Sequence, residues 1–226
     1  MTKHRSIAID GPSGAGKSTL ARALAKALGY LYVDTGAIYR TVGLQACRTG
    51  VDPEDRDGVV ALLPGLDIRL GYGEDGVQRM FLNGEDVSQA IRQHEISRYA
   101  SGVSALPEVR AFLLDRQRQL AAEHDVVMDG RDIGTVVLPQ ADVKIFLTAA
   151  PEARARRRWL ELQQRGDETD YETVLRDVID RDEKDTNRAT APLRQAEDAV
   201  LADTTQLDLE QSLDLLISIA KERLQA

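Results

Sequence analysis

The residues with the most obvious chemistry lie near the start of the chain. Gly11-Pro12-Ser13-Gly14-Ala15-Gly16-Lys17-Ser18-Thr19 places a glycine, four intervening residues, then glycine, lysine and serine, the pattern of a phosphate-binding loop. Its glycines let consecutive backbone N–H groups turn inward toward phosphate oxygens. A helix starting at the loop adds the positive end of its dipole. Lys17 is placed to reach terminal phosphates, and the Ser18 hydroxyl to ligate Mg²⁺. All nine residues are candidate contacts for ATP. The loop reports nucleotide phosphate and not a reaction, because kinases, GTPases, ATPase motors and regulatory proteins all use it.

Such a loop works only when a strand delivers it and a helix leaves it. Ser6–Ile9 is a short apolar run that ends at the loop. Leu20, Leu24 and Leu28 then recur at helical spacing, and Gly29 closes that helix. Tyr30–Val33 reads as a second strand, which makes the unit of a parallel α/β sheet. From Asp52 to Gly76, Pro, Gly and acidic residues predict a compact β insert, with strands at Leu66–Tyr72 and Val77–Leu82 around Gly73-Glu74-Asp75-Gly76. Ile91 to Gly102 is weakly helical, and Pro107 opens a helix with Val109, Phe112, Leu113 and Leu120 as its apolar stripe. Val126–Met128 and Val143–Leu147 are further buried strands, and Leu201–Thr204 a last short one. Helices are expected over Pro151–Gln164, Tyr171–Arg181 and Leu209–Leu224.

Charged residues gather where these strands end, the place at which a doubly wound sheet binds ligands. Asp34-Thr35-Gly36-Ala37-Ile38-Tyr39-Arg40 follows the second strand, and Asp129-Gly130-Arg131-Asp132 follows Val126–Met128. Arg40 and Arg131 suit a second phosphate, because guanidinium makes bidentate, charge-assisted bonds to it. Each is equally open to the commoner fate of a surface ion pair. Asp129 is a candidate for the water shell of Mg²⁺. A phosphate acceptor is already ionised and needs positive charge more than a general base, whereas an alcohol acceptor would use Asp132 as its base. Arg154, Arg156, Arg157 and Arg158 form a cationic run that reads either as a solvated helix face or as a lid over the transferring group, with Gly166 at its tip. The run from Arg181 to Arg188 is dense in both signs and reads as a solvated helix end or as part of an acceptor pocket.

The 226 residues allow one domain with insertions or two small ones. The net charge of −8 argues against general nucleic-acid binding. Cys47 is the lone cysteine, so an internal disulfide and a structural zinc site are both excluded. No run approaches the ~18 apolar residues of a membrane span, and a cytoplasmic protein is expected.

Taken together these segments resemble the bacterial cytidylate kinase family, the (d)CMP kinase branch of the nucleoside monophosphate kinases. The resemblance rests on Ile9–Thr19, Asp34–Arg40, Asp129–Leu147, Arg181–Leu193 and Asp203–Leu207, in the family's order over nearly the whole chain. It implies an α/β fold: a P-loop NTPase-type parallel sheet flanked by helices, a small β-containing insert for the monophosphate and a short helical lid. The implied division is core for 1–37, a monophosphate-binding part for 38–105 with its β insert at about 66–87, core for 106–153, lid and flanking helices for 154–184, and core for 185–226. The implied reaction is phosphorylation of CMP and dCMP by ATP with Mg²⁺, in a monomer with no nucleic-acid or membrane partner. By position, Lys17, Arg40, Arg131, Arg157 and Arg158 would be catalytic. Arg40 and Arg131 would hold the acceptor phosphate. Thr35, Arg110, Asp132 and Arg188 would read cytosine, and Ser101, Arg181 and Asp185 would lie at the sugar. Ser18 would hold Mg²⁺, with Asp129 acting through water. Some family members have serine where Thr35 stands, and the extra methyl bears on tolerance of UMP.

Two other readings compete. A kinase acting on a hydroxyl, with Asp132 as base, would make a phosphomonoester and not a diphosphate. A nucleotide switch would hydrolyse slowly without an acceptor, but the chain has no Asn-Lys-x-Asp element for guanine.

Overall fold

The computed structural model describes residues 4–74, 77–164 and 166–225. Asp75 and Gly76 of the expected turn lie outside them. In chain order the elements are β1 (Ser6–Asp10), α1 (Lys17–Leu28), β2 (Leu31–Asp34), α2 (Thr35–Arg48), α3 (Arg56–Leu62), β3 (Ile68–Tyr72), β4 (Gln78–Leu82) and β5 (Glu85–Asp86). They continue with α4 (His94–Ala105), α5 (Pro107–Glu123), β6 (Val126–Gly130), β7 (Val143–Thr148), α6 (Pro151–Gln164), α7 (Tyr171–Asn187), β8 (Val200–Asp203) and α8 (Leu209–Gln225). The chain divides into two units, Met1–Tyr32 with Ala121–Ala226, and Val33–Leu120.

The first unit is organised by a five-stranded sheet of order β2-β6-β1-β7-β8. β1 is central. It pairs in parallel with β6 from Ser6 opposite Val126 and with β7 from Ile7 opposite Val143. β8 extends the sheet in parallel beyond β7. Ile7, Ile9, Val127, Ile145 and Leu147 are fully buried, as central strands covered on both faces require. α1 contributes Leu20 and Leu24 to that core, and α8 contributes Leu216 and Ile219. α6 and α7 form a helical pair with its own small cluster, Ala155, Val174 and Val178, closed by Trp159 edge-on to Tyr171 at 6.4 Å.

The second unit carries the antiparallel sheet β3-β4-β5, with Ile68 opposite Leu82. Its core gathers Ile38 and Val42 of α2, Ile96 and Val103 of α4, and Leu113 of α5. The stretch read as purely β opens instead with α3. Asp55 caps that helix by accepting from the Gly58 N–H at 3.1 Å, and Val59 is buried beneath it. The Asp55 cap outweighs the turn-forming residues around it.

Candidate active site

The loop predicted to hold phosphate leaves β1 and runs into α1. Gly11 has φ +153°, and a Cβ there would sit 1.9 Å from the Leu147 carbonyl oxygen, so no side chain fits. Gly14 and Gly16 also have positive φ, and Gly16 is the N-cap of α1. Lys17 is buried, and its ammonium donates to the Pro12 carbonyl at 2.6 Å, folding back along the loop. Burial holds the Lys17 amine well below its ordinary range, and the nearby Arg131 charge acts in the same direction. Nearby negative charge would favour the protonated form of an amine held in this way. Thr19, the last residue of the motif, is exposed.

Ser18 and Asp129 meet behind the loop. The Ser18 hydroxyl donates to Asp129 Oδ2 at 3.0 Å, and the Tyr32 hydroxyl donates to Oδ1 at 2.9 Å. Asp129 is buried at the end of β6, and the Arg22 guanidinium lies 5.3 Å above the Tyr32 ring. A hydroxyl and a carboxylate side by side form a hard-oxygen donor set. That set fits Mg²⁺, which keeps several waters and takes the remainder of its shell from phosphates. Among the described residues no group of three or more His, Cys, Asp or Glu could hold a metal, and no helix is long and apolar enough to cross a membrane.

The polar end of β6 supplies a set of ion pairs within the first unit. Arg131 Nε donates to Asp185 Oδ2 at 2.8 Å. Burial alone would raise the Asp185 pKa, but Arg131, Arg181 and Arg188 together hold it below the ordinary carboxylate value. Arg188 lies 3.6 Å from Asp132 Oδ1, and its Nε donates to the Ala191 carbonyl at 2.6 Å. The structure thus brings Arg131, Asp132, Asp185 and Arg188 together, with Arg181 contributing charge.

In the second unit, Asp34 caps α2 by accepting from the Ala37 N–H at 2.9 Å. Gln78 of β4 brackets the Asp34 backbone, accepting from its N–H at 2.8 Å. Thr35 is buried at the start of α2, and the Arg40 guanidinium lies beside Gly36 one turn away. Arg110 is buried, donates to the Ser104 carbonyl at 3.0 Å and lies 5.4 Å above the Tyr39 ring. Ser104 in turn donates to the Ser101 carbonyl at 2.9 Å, which joins Ser101 and Arg110 in one polar group.

The cationic run of α6 separates into different roles. Arg154 is 2% exposed, so it is no part of a solvated face. Its Nε donates to the Ala149 carbonyl at 2.8 Å and one Nη to the Ser13 carbonyl of the loop at 2.9 Å, and the guanidinium pairs with Asp182 of α7. Arg157 donates to the Thr204 carbonyl at 2.7 Å, and the half-buried Arg158 reaches Glu161 at 3.5 Å. Arg156 is exposed. Beside the loop, a cavity of about 410 Å³ is lined by Pro12, Thr148, Pro151, Arg154, Asp182 and Thr205.

Sequence reasoning passed over Asp10, Tyr32, Tyr39 and the loop-bracing role of Arg154. Tyr32 carried one usable signal, since it stands on a predicted strand leading to Asp34. Arg154 carried none, because its neighbours Arg156, Arg157 and Arg158 mask it.

A glycine loop on the central strand of a parallel sheet, continuous with a helix and backed by a hydroxyl–carboxylate pair, defines the P-loop class of nucleotide-phosphate-binding proteins. The cytidylate kinase family model matches residues 7–222. Over 217 residues the chain is 50% identical to a cytidylate kinase from Caldicellulosiruptor bescii, covering 96% of each chain. It is 52% identical over 213 residues to one from Carboxydothermus hydrogenoformans, covering 94% of this chain and 96% of that one. A gluconokinase crystal structure from Sinorhizobium meliloti 1021 superposes with a TM-score of 0.49 at 15% identity, covering 100% of this chain and 97% of that one. The chain belongs to the cytidylate kinase family.

Proposed function

We propose that the protein transfers the terminal phosphoryl group of ATP to CMP and dCMP, giving ADP with CDP or dCDP. The observation that carries this reading is the paired set at the end of β6. Arg131 meets Asp185 and Arg188 meets Asp132, on the strand whose Asp129 faces Ser18. An acceptor phosphate is an anion that must approach another anion, and guanidinium groups offset that repulsion. Asp132 stands beside an arginine, an arrangement suited to reading a base and less suited to taking a proton from an alcohol.

In this reading Gly11 to Thr19 wrap the ATP phosphates and Lys17 steadies the charge that develops on transfer. Ser18 would hold Mg²⁺, with Asp129 acting through water. When bound, the ion would supply positive charge that offsets the negative charge of the phosphates during transfer. Arg40 and Arg131 hold the acceptor phosphate. Ser101, Arg181 and Asp185 hold the sugar. Thr35, Arg110, Asp132 and Arg188 recognise cytosine, with Asp132 accepting from its amino group. Uracil presents an acceptor there, which leaves Asp132 poorly paired at roughly 1–3 kcal/mol, about tenfold to a hundredfold in discrimination. Arg157 and Arg158 belong to the lid and flanking helices of residues 154–184, a lid that excludes water from the transfer. The monophosphate part spans 38–105, and core segments make up the rest. A single chain working in the cytoplasm completes the reading, and the free Cys47 is compatible with a reducing compartment.

The test is Mg²⁺- and ATP-dependent ADP formation with CMP, dCMP, UMP, AMP, GMP or no acceptor. CMP and dCMP should exceed all others. ADP formation that ignores every monophosphate would overturn the reading in favour of a hydroxyl acceptor or a nucleotide switch. Arg188→Met should raise the CMP requirement and narrow the gap between CMP and UMP.

A further inference from the structure

Asp10 is the last residue of β1 and stands immediately before the phosphate loop, yet its side chain is bound to a distant segment. The residue is 5% exposed. Oδ1 accepts from the Ile133 N–H at 2.8 Å and Oδ2 from the Gly134 N–H at 2.7 Å. One buried carboxylate thus grips two consecutive amides 123 and 124 positions along the chain. The approach is tight. A Cβ on Gly134 would lie 3.4 Å from Asp10 Oδ2 and 3.2 Å from Lys144 Cδ.

Those two amides open a wide helical turn, Ile133–Val137. The turn is knotted back onto Asp132, whose carbonyl accepts from Val136 N–H at 2.9 Å and Val137 N–H at 3.2 Å. The orientation of Asp132 and of its neighbour Arg131 therefore depends on where the turn is held. Lys17 from α1 and Asp132 from the end of β6 are the charges facing Asp10.

We propose that Asp10 is a positioning residue for the acceptor nucleotide, fixing the Ile133–Gly134 backbone and through it Arg131 and Asp132, while its own main chain starts the donor loop. The inference rests on the reading of Arg131 and Asp132 as acceptor ligands. Only a carboxylate meets the need. An amide of the same shape accepts one N–H and presents its own N–H₂ to the other, leaving two donors face to face. Burial makes the charge costly here and pushes the Asp10 pKa up to about 6, against the pull of the two amides. A costly group serving two amides of an acceptor segment is placed there for geometry.

The experiment compares wild type, Asp10→Asn and Gly134→Ala in the full chain, with KM for CMP, KM for ATP, kcat and thermal midpoint measured for each. Asp10→Asn should raise KM for CMP about tenfold, the scale of one lost charge-assisted hydrogen bond, with KM for ATP within about twofold of wild type. Gly134→Ala keeps the carboxylate but crowds the contact, and should raise KM for CMP about threefold with the same selectivity. A purely structural role would lower the midpoint and move both constants alike. Equal movement of both constants, or an unchanged KM for CMP in folded Asp10→Asn, overturns the proposal. If Asp10→Asn does not fold, an unchanged KM for CMP in Gly134→Ala overturns it. Failure of the underlying reading shows separately, as wild-type protein making ADP without regard to CMP, and that result removes this inference with it.

Discussion

Ser18 and Asp129, 111 positions apart in the chain, share a 3.0 Å hydrogen bond behind the phosphate loop. The same carboxylate accepts from Tyr32 through its other oxygen, so its orientation is set from both sides before any cation arrives. Preset ligands lose less freedom on binding.

Removing the charge should therefore be felt in the cation requirement. Asp129→Asn is expected to raise the Mg²⁺ concentration for half-maximal activity about ten- to a hundredfold, and Tyr32→Phe, which removes one neutral hydrogen bond, only severalfold. ADP formation across a Mg²⁺ titration at saturating ATP and CMP gives both numbers. An unchanged Mg²⁺ requirement in Asp129→Asn would place the cation elsewhere.

Lys17→Ala should lower turnover by about a hundred- to a thousandfold while leaving the thermal midpoint close to wild type. The amine makes its hydrogen bond to the Pro12 carbonyl, and removing a buried, disfavoured cation costs the fold little. A loss of turnover smaller than about tenfold would mean that the loop does not act on the terminal phosphates.

Arg154 is expected to matter for stability. It is walled in, pairs with Asp182 and holds carbonyls of Ala149 and Ser13. Arg154→Met leaves Asp182 without its partner and should cost about 3–5 kcal/mol by urea unfolding. Adding Asp182→Leu to that variant should recover part of the loss, because a lone carboxylate is costlier than an apolar pair. A loss under about 1 kcal/mol in the single variant would contradict the buried pair.

Asp10 gives a pH dependence of unusual sign. Burial pushes its carboxyl up to about 6, above the ordinary 3.8. Between those values the folded protein keeps a proton that the unfolded chain has released. The folded state is therefore favoured at the acid end, and that contribution is lost as the pH rises through 6. A gap of about two pH units corresponds to roughly 3 kcal/mol. Asp10→Asn carries no such proton, so the stability of wild type relative to this variant should fall by about that amount from pH 4 to pH 7. A constant difference in urea midpoint over that range would rule the effect out.

What the sequence revealed and what it hid follow from how local each signal is. The phosphate loop is contiguous, and its glycines announce themselves. The apolar runs of β1, β6 and β7 are buried on both faces and stand out against their polar ends. The strands of the small insert were legible from their turn residues, but α3 was not, because seven residues with a single buried valine carry little periodicity. The turn at Ile133–Val137 was hidden as well. Its β-branched residues favour extended backbone, and what bends it is a carboxylate from the other end of the chain. Partnership also decided the arginines. Arg156 and Arg154 are two positions apart in one cationic run, yet one is exposed and the other sealed by Asp182. Composition cannot separate them.

The pairing of Ser6 with Val126 has a consequence for how the protein is made. The central strand of the sheet leaves the ribosome more than a hundred residues ahead of its two neighbours, β6 and β7. At about 5–20 residues per second, β1 waits on the order of ten seconds without a partner. During that interval the chain between, Val33–Leu120, emerges with the residues of its own core already present. Assembly on the ribosome therefore runs outward-in: the inserted unit can close first, and the strand that carries the phosphate loop is among the last to find its place.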